Sequence, residues 1–174
     1  MAKVSLTKLG LKVNQEIKTI IFNEQTIEVK QYLPVNDKLE LIGNVINSAH
    51  DDNNFSNPVK VSIFTALEVL YAYTNINFTE KQKEDPAKLY DLAVSSGLID
   101  MVLDVIPEDE YEEVVCGIED SIDAIYTYRN SVMGILDNIV KDYDGMNLDA
   151  TNIYNKLADP ENMDLIKQVL TKLG

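Results

Sequence analysis

Two hydrophobic periods divide the chain. From Ile17 to Tyr32 the pattern alternates, with Ile17, Thr19 and Ile21 on one face and Ile27 and Val29 in a second run. Between them Phe22-Asn23-Glu24-Gln25 predicts the turn of a β-hairpin over residues 17–33, because Asn enters turn conformations readily. A lone hairpin is barely stable in water, so this one must lie on helices or pair with another chain. Residues 1–16 follow neither period and contain Gly10, which predicts an N-terminal arm whose fate depends on a partner.

From Pro34 the period becomes helical, and residues 34–174 are expected to form one helical domain. Leu39, Leu41, Ile42, Val45 and Ile46 predict a helix over about 36–48. Asn57-Pro58 is a strong start for the next, with Asn as N-cap and Pro in the first turn. Its apolar residues surround the wheel up to Tyr73, which marks a buried central helix. Thr79-Glu80-Lys81-Gln82 has capping-box spacing, and Asp85-Pro86 opens a further helix that Ser95-Ser96-Gly97 ends. A short apolar helix over about 98–105 stops before Pro107, and two more are predicted at about 149–158 and 160–173.

The longest periodic run covers about 108–142. Tyr111, Val115, Ile118, Ile122, Ile125, Arg129, Val132, Leu136, Ile139 and Tyr143 follow one another at steps of four and three. Such a seam predicts a helix of roughly 50 Å laid across a bundle or paired in a coiled coil. Gly117 and Gly134 lie within it and invite a kink. The expected fold is therefore mainly α: a helical bundle with one long helix, a small N-terminal hairpin and an arm.

Composition narrows the function classes. Of 174 residues, 45% are hydrophobic and 25% charged, a globular balance. No apolar run reaches the ~20 residues of a membrane span, and the N-terminus lacks the apolar core of a signal peptide. One Cys and one His exclude an internal disulfide and a Cys/His zinc site within one subunit. The 15 basic and 29 acidic residues leave a net charge of −14, which argues against direct nucleic-acid binding. Residues 1–60 sum to zero, whereas Asp100–Asp123 holds ten acids and no cation. The basic stretch Lys3, Lys8, Lys12 and Lys18 has the sign to meet that acidic face on a neighbour.

Several residues invite a chemical role. Arg129, the one charge in the seam, either sets register by pairing with a carboxylate or snorkels to the surface. Tyr111, Ile118, Ile122 and Ile125 are its apolar candidates for interaction. Glu108, Asp109, Glu112 and Glu113 belong to an acidic run that suits a nucleic-acid mimic, yet acids in a first helical turn also offset the macrodipole. The stretch Asp142–Asp149 fails the calcium-loop pattern at Met146, Asn147 and Ile153. His50 with Asp51 and Asp52 offers too few fixed ligands for a metal, and Cys116 is expected to be a buried structural thiol. There is no phosphate loop and no nucleophile elbow, so neither an enzyme nor a cofactor is predicted. Leu-Thr-Lys-Leu-Gly occurs twice, at 6–10 and 170–174, as chance or two amphipathic ends with a Gly cap would give, or as matched docking segments in an assembly.

Gln31-Tyr32-Leu33-Pro34 with Lys38-Leu39-Glu40-Leu41-Ile42, Asn57-Pro58-Val59-Lys60, and Phe78–Asp85 leading to Lys88-Leu89-Tyr90-Asp91 and Ser96-Gly97 carry a resemblance. The chain resembles virion structural and morphogenesis proteins of tailed phages and prophages of Gram-positive bacteria. That resemblance implies an interaction protein acting in many copies, in a particle or in the cytoplasm of an infected host. Its partners would be other virion proteins or itself, as a homo-oligomer. The rival expectation is an acidic, DNA-mimic-like module that occupies a host nucleic-acid-binding defence protein through residues 100–123.

Overall fold

The structure, a computed structural model, describes residues 3–50 and 55–136. It is mainly helical with a small N-terminal antiparallel hairpin, and the chain divides into two compact units, Met1–Ala124 and Ile125–Gly174. Strands β1 (Ile17–Phe22) and β2 (Gln25–Lys30) are followed by α1 (Val35–Ala49), α2 (Pro58–Tyr73), α3 (Glu80–Lys83), α4 (Pro86–Ser95), α5 (Leu98–Leu103) and α6 (Glu108–Arg129). The expected helices at 149–158 and 160–173, the Asp142–Asp149 stretch and the second Leu-Thr-Lys-Leu-Gly lie outside the described residues.

The hairpin turns on Asn23 (φ 46°) and Glu24 (φ 64°), the left-handed pair of a two-residue turn whose twist matches that of the strands. Pairing runs from Ile17 opposite Lys30 to Phe22 opposite Gln25. Ile20, Ile27 and Val29 face the helices and are buried. Ile17, Thr19 and Ile21 occupy the opposite, outward face, so the two apolar runs of the sequence point to different sides of the ribbon.

Side-chain caps specify the starts of α2, α3 and α4. Asn57 Oδ1 accepts from Val59 N (2.9 Å), and Asp85 Oδ1 accepts from Lys88 N (3.2 Å). Thr79 and Gln82 satisfy each other's backbone N–H groups in a capping box. Gly97 takes φ 75°, the left-handed corner between α4 and α5. The core of the first unit gathers Leu33, Leu41, Val45, Leu70, Tyr73 and Val114. Gly117 lets α6 approach α1, since a Cβ there would stand 2.6 Å from Ile42 Cδ1.

The expected continuous helix over 108–142 is not found. α6 ends at Arg129, Asn130 forms a turn and Ser131 a bend, and residues 132–136 are helical again. Ser131 and Gly134 form the break, since a Cβ at Gly134 would collide with Tyr128 O. The Ser131 Oγ donates to Tyr128 O and accepts from Gly134 N (3.1 Å), so the hydroxyl caps a new turn instead of continuing the old one. The part from 137 to 142, with Ile139 and Tyr143 of the seam, lies outside the described residues. The buried row of α6 is also displaced: Glu110, Val114 and Ile118 are buried, while Tyr111, Val115 and Ile122 flank them half-exposed. Cys116, expected to be buried, is exposed on the other side of that helix.

Candidate functional site

The sharpest polar constellation lies inside the first unit. Lys38 occupies the apolar stripe of α1 with Leu41, Val45 and Ala49, and Glu110 occupies that of α6 with Val114 and Ile118. Their side chains meet at 2.9 Å. Glu113 Oε2 takes a second bond from Lys38 Nζ at 2.5 Å, and the ammonium stands 4.8 Å from the centroid of the Tyr32 ring. Glu110 Oε1 accepts from Leu33 N (2.8 Å) and from Tyr73 Oη (3.0 Å). Burial alone would lower the Lys38 pKa, but hydrogen bonds and charges from Glu113 and Glu110 outweigh it and hold it above its ordinary value. Burial, then the neighbouring Glu110 carboxylate, pushes the Tyr73 phenol far upward. Every donor here has its acceptor, which is the geometry of a lock between elements.

This lock changes the acidic face. Of the run that suited a mimic, Glu110 is withdrawn into the core and Glu113 is tied to Lys38. Glu108, Asp109 and Glu112 remain exposed, together with Glu119, Asp120 and Asp123.

An open cleft of about 480 Å³ is lined by Lys30, Glu40, Asn44, Glu68, Tyr71 and Lys83 among others. Burial raises the Glu68 pKa and Glu40 adds to the shift, while the Asn44 hydrogen bond (3.1 Å) and Lys83 oppose it. Burial, helped by Glu68, raises that of Tyr71. The Tyr71 hydroxyl and the Lys30 and Lys83 amines line the cleft beside its carboxylates. Among the described residues no three His, Cys, Asp or Glu side chains are grouped to hold a metal ion. Asp51 and Asp52 lie outside the described residues. His50 is engaged by protein on both sides: with the proton on Nδ1 it donates to Ile46 O, and Nε2 accepts from Ser56 Oγ (3.0 Å).

A second groove, about 230 Å³, runs between α2 and α6 over Val61, Ala66, Tyr111, Val115 and Ile118, with Ser62 and Glu119 at its sides. It is smaller than the ~300–1,000 Å³ of small-molecule sites and suits one or two side-chain anchors. Burial raises the Tyr111 pKa. Tyr111 and Ile118 are thus brought together in one groove, with Ile122 a turn beyond Ile118 on the same helix. Ile125 and Arg129 belong to the second unit, where both are half-exposed.

Two surfaces remain uncovered on the first unit. Val4, Leu6, Leu9, Leu11 and Val13 of the arm are each 55–71% exposed. Leu6–Leu9 make a 3₁₀ turn that Gly10 closes at φ 60°. The hairpin has one closed edge and one open one. Asn75 closes β2, donating its N–H to Glu28 O (3.2 Å) and accepting from Glu28 N at its side-chain oxygen (3.0 Å). In antiparallel alternation, with Gln31 N bonded to Glu16 O, the backbone groups of Ile17, Thr19 and Ile21 point away from β2. Among the described residues no other strand meets them.

Comparison with known protein families, with curated proteins and with solved structures finds no match. No helix among the described residues is long and apolar enough to cross a membrane.

Proposed function

We propose that this protein is a non-enzymatic structural or assembly protein of a tailed-phage particle, acting through protein–protein contacts in a multi-copy complex. The observation that carries this is the arm. Within ten residues it presents five large apolar side chains, all of them more than half exposed. Fully burying such a side chain contributes ~1.5–3 kcal/mol, set against ~1–2 kcal/mol per residue for ordering the backbone. The open edge of β1 is a second unfinished surface of the kind that β-strand addition uses. The likeness of the Gln31–Ile42 and Phe78–Gly97 segments to virion morphogenesis proteins supplies the setting: the particle, or the cytoplasm of the infected cell.

Light scattering on the full chain, with and without Leu6→Asp, Leu9→Asp and Leu11→Asp, tests it. A stable oligomer that the arm substitutions dissociate, and several copies per purified particle, are the expected results. A chain that remains monomeric at high concentration and instead binds a basic nucleic-acid-binding protein would establish the mimic function in its place.

A further inference from the structure

The arm and the α2–α6 groove carry complementary chemistry on the same chain. Residues 3–15 contain Lys3, Lys8 and Lys12 and no acid, interleaved with exposed leucines and valines. Along α6 the helical repeat sets Glu108, Glu112, Glu119 and Asp123 in one stripe beside the apolar row Tyr111, Val115, Ile118 and Ile122. These four acids are exposed, and residues 97–123 contain no cation. An apolar groove with an acidic margin thus faces solvent on a molecule whose basic, apolar arm also faces solvent.

We propose that the groove receives the N-terminal arm of a second copy, an inference that rests on the assembly function above and names its contact. Leucines of the 6–11 segment anchor between α2 and α6. Lys8 and Lys12 face the acidic stripe, so charge orients the arm and apolar burial holds it. The groove's volume favours this occupant, because it admits a side chain or two and no larger ligand. Each copy gives one arm and receives one, either exchanged in a twofold dimer or passed on around a ring or along a filament.

Charge reversal tests the pairing on residues whose side chains are exposed and outside the core. Lys8→Glu with Lys12→Glu, and separately Glu112→Lys with Glu119→Lys, should each weaken self-association by ~tenfold or more while leaving thermal unfolding unchanged. Mixing the two variants should restore it, because the reversed arm then meets the reversed groove. Association should also fall as salt rises beyond ~0.15 M, where the screening length is only ~8 Å. In a Cys116→Ser background, Leu9→Cys and Ser62→Cys should form a disulfide between copies. Groove variants that associate like the wild type, with no rescue on mixing, would overturn the groove as receptor while arm-dependent assembly stands. A wild-type chain that is monomeric throughout would overturn both.

Discussion

Lys38 and Glu110 meet at 2.9 Å with only 5% and 7% of their surfaces exposed, which makes them a buried ion pair between α1 and α6. The pair is completed by Leu33 N, Tyr73 Oη and Glu113, so neither charge relies on solvent. Burying two ions costs several kcal/mol each before their attraction is counted. The arrangement therefore sets which helix faces which more than it adds net stability.

Removing one member should cost more than removing both. Glu110→Ala leaves the Lys38 ammonium in the core with Glu113 alone and should destabilise by ~3–5 kcal/mol. Lys38→Met combined with Glu110→Leu should lie much closer to wild type. A double-mutant cycle in denaturant measures the difference, and equal losses in the single and double variants would refute the coupling.

Alkaline pH should unfold the protein through the same cluster. Lys38 has a pKa above its ordinary 10.5 and Tyr73 one above 10.0. Both are raised in the folded state, so the native chain holds these protons more tightly than the unfolded one. Their contribution is complete below the unfolded values and is lost as pH rises through the folded ones. Denaturation midpoints should fall above about pH 10, and the fall should shrink in Tyr73→Phe.

Gly117 should tolerate one methyl group and no more. Ala there gains up to ~1 kcal/mol of helix propensity, against a contact with Ile42 Cδ1, the far end of a flexible side chain. Gly117→Ala should change stability by less than ~1 kcal/mol, whereas Gly117→Val should destabilise by ~1–3 kcal/mol. Ile42→Ala in the Gly117→Val background should recover part of that loss, as measured by thermal unfolding.

The hairpin turn contains a correctable local conflict. Glu24 adopts φ 64°, which costs a side-chain-bearing residue ~1–2 kcal/mol. Gly lacks that cost but loses ~0.5–1 kcal/mol through backbone entropy. Glu24→Gly should therefore stabilise by ~0.5–1 kcal/mol, and an unchanged or lower unfolding midpoint would contradict the turn geometry.

Local chemistry made much of the fold legible. Asn57-Pro58, Thr79 with Gln82, and Asp85-Pro86 each specify a helix start by hydrogen bonds between near neighbours in sequence, and all three occur. The lock was hidden because its partners are 72 and 77 residues apart and each looks ordinary alone. The available signal was a charged residue in register with an apolar stripe, Lys38 with Leu41 and Val45, and Glu110 with Val114 and Ile118. A row started at Tyr111 instead of Glu110 passes over it. The break near Ser131 was legible only as the kink that Gly134 invites. A periodic hydrophobic pattern records which side chains share a face, while a hydroxyl capping Gly134 N interrupts the backbone without disturbing that pattern.

One carboxylate on α6 closes contacts with Leu33, Lys38 and Tyr73. Synthesis proceeds from the N-terminus, so α1 and α2 leave the ribosome with a cation committed to an oily layer and no anion to receive it. The interior stays provisional until the sixth helix emerges. Both carboxylates that receive the Lys38 ammonium, Glu110 and Glu113, arrive only with that helix.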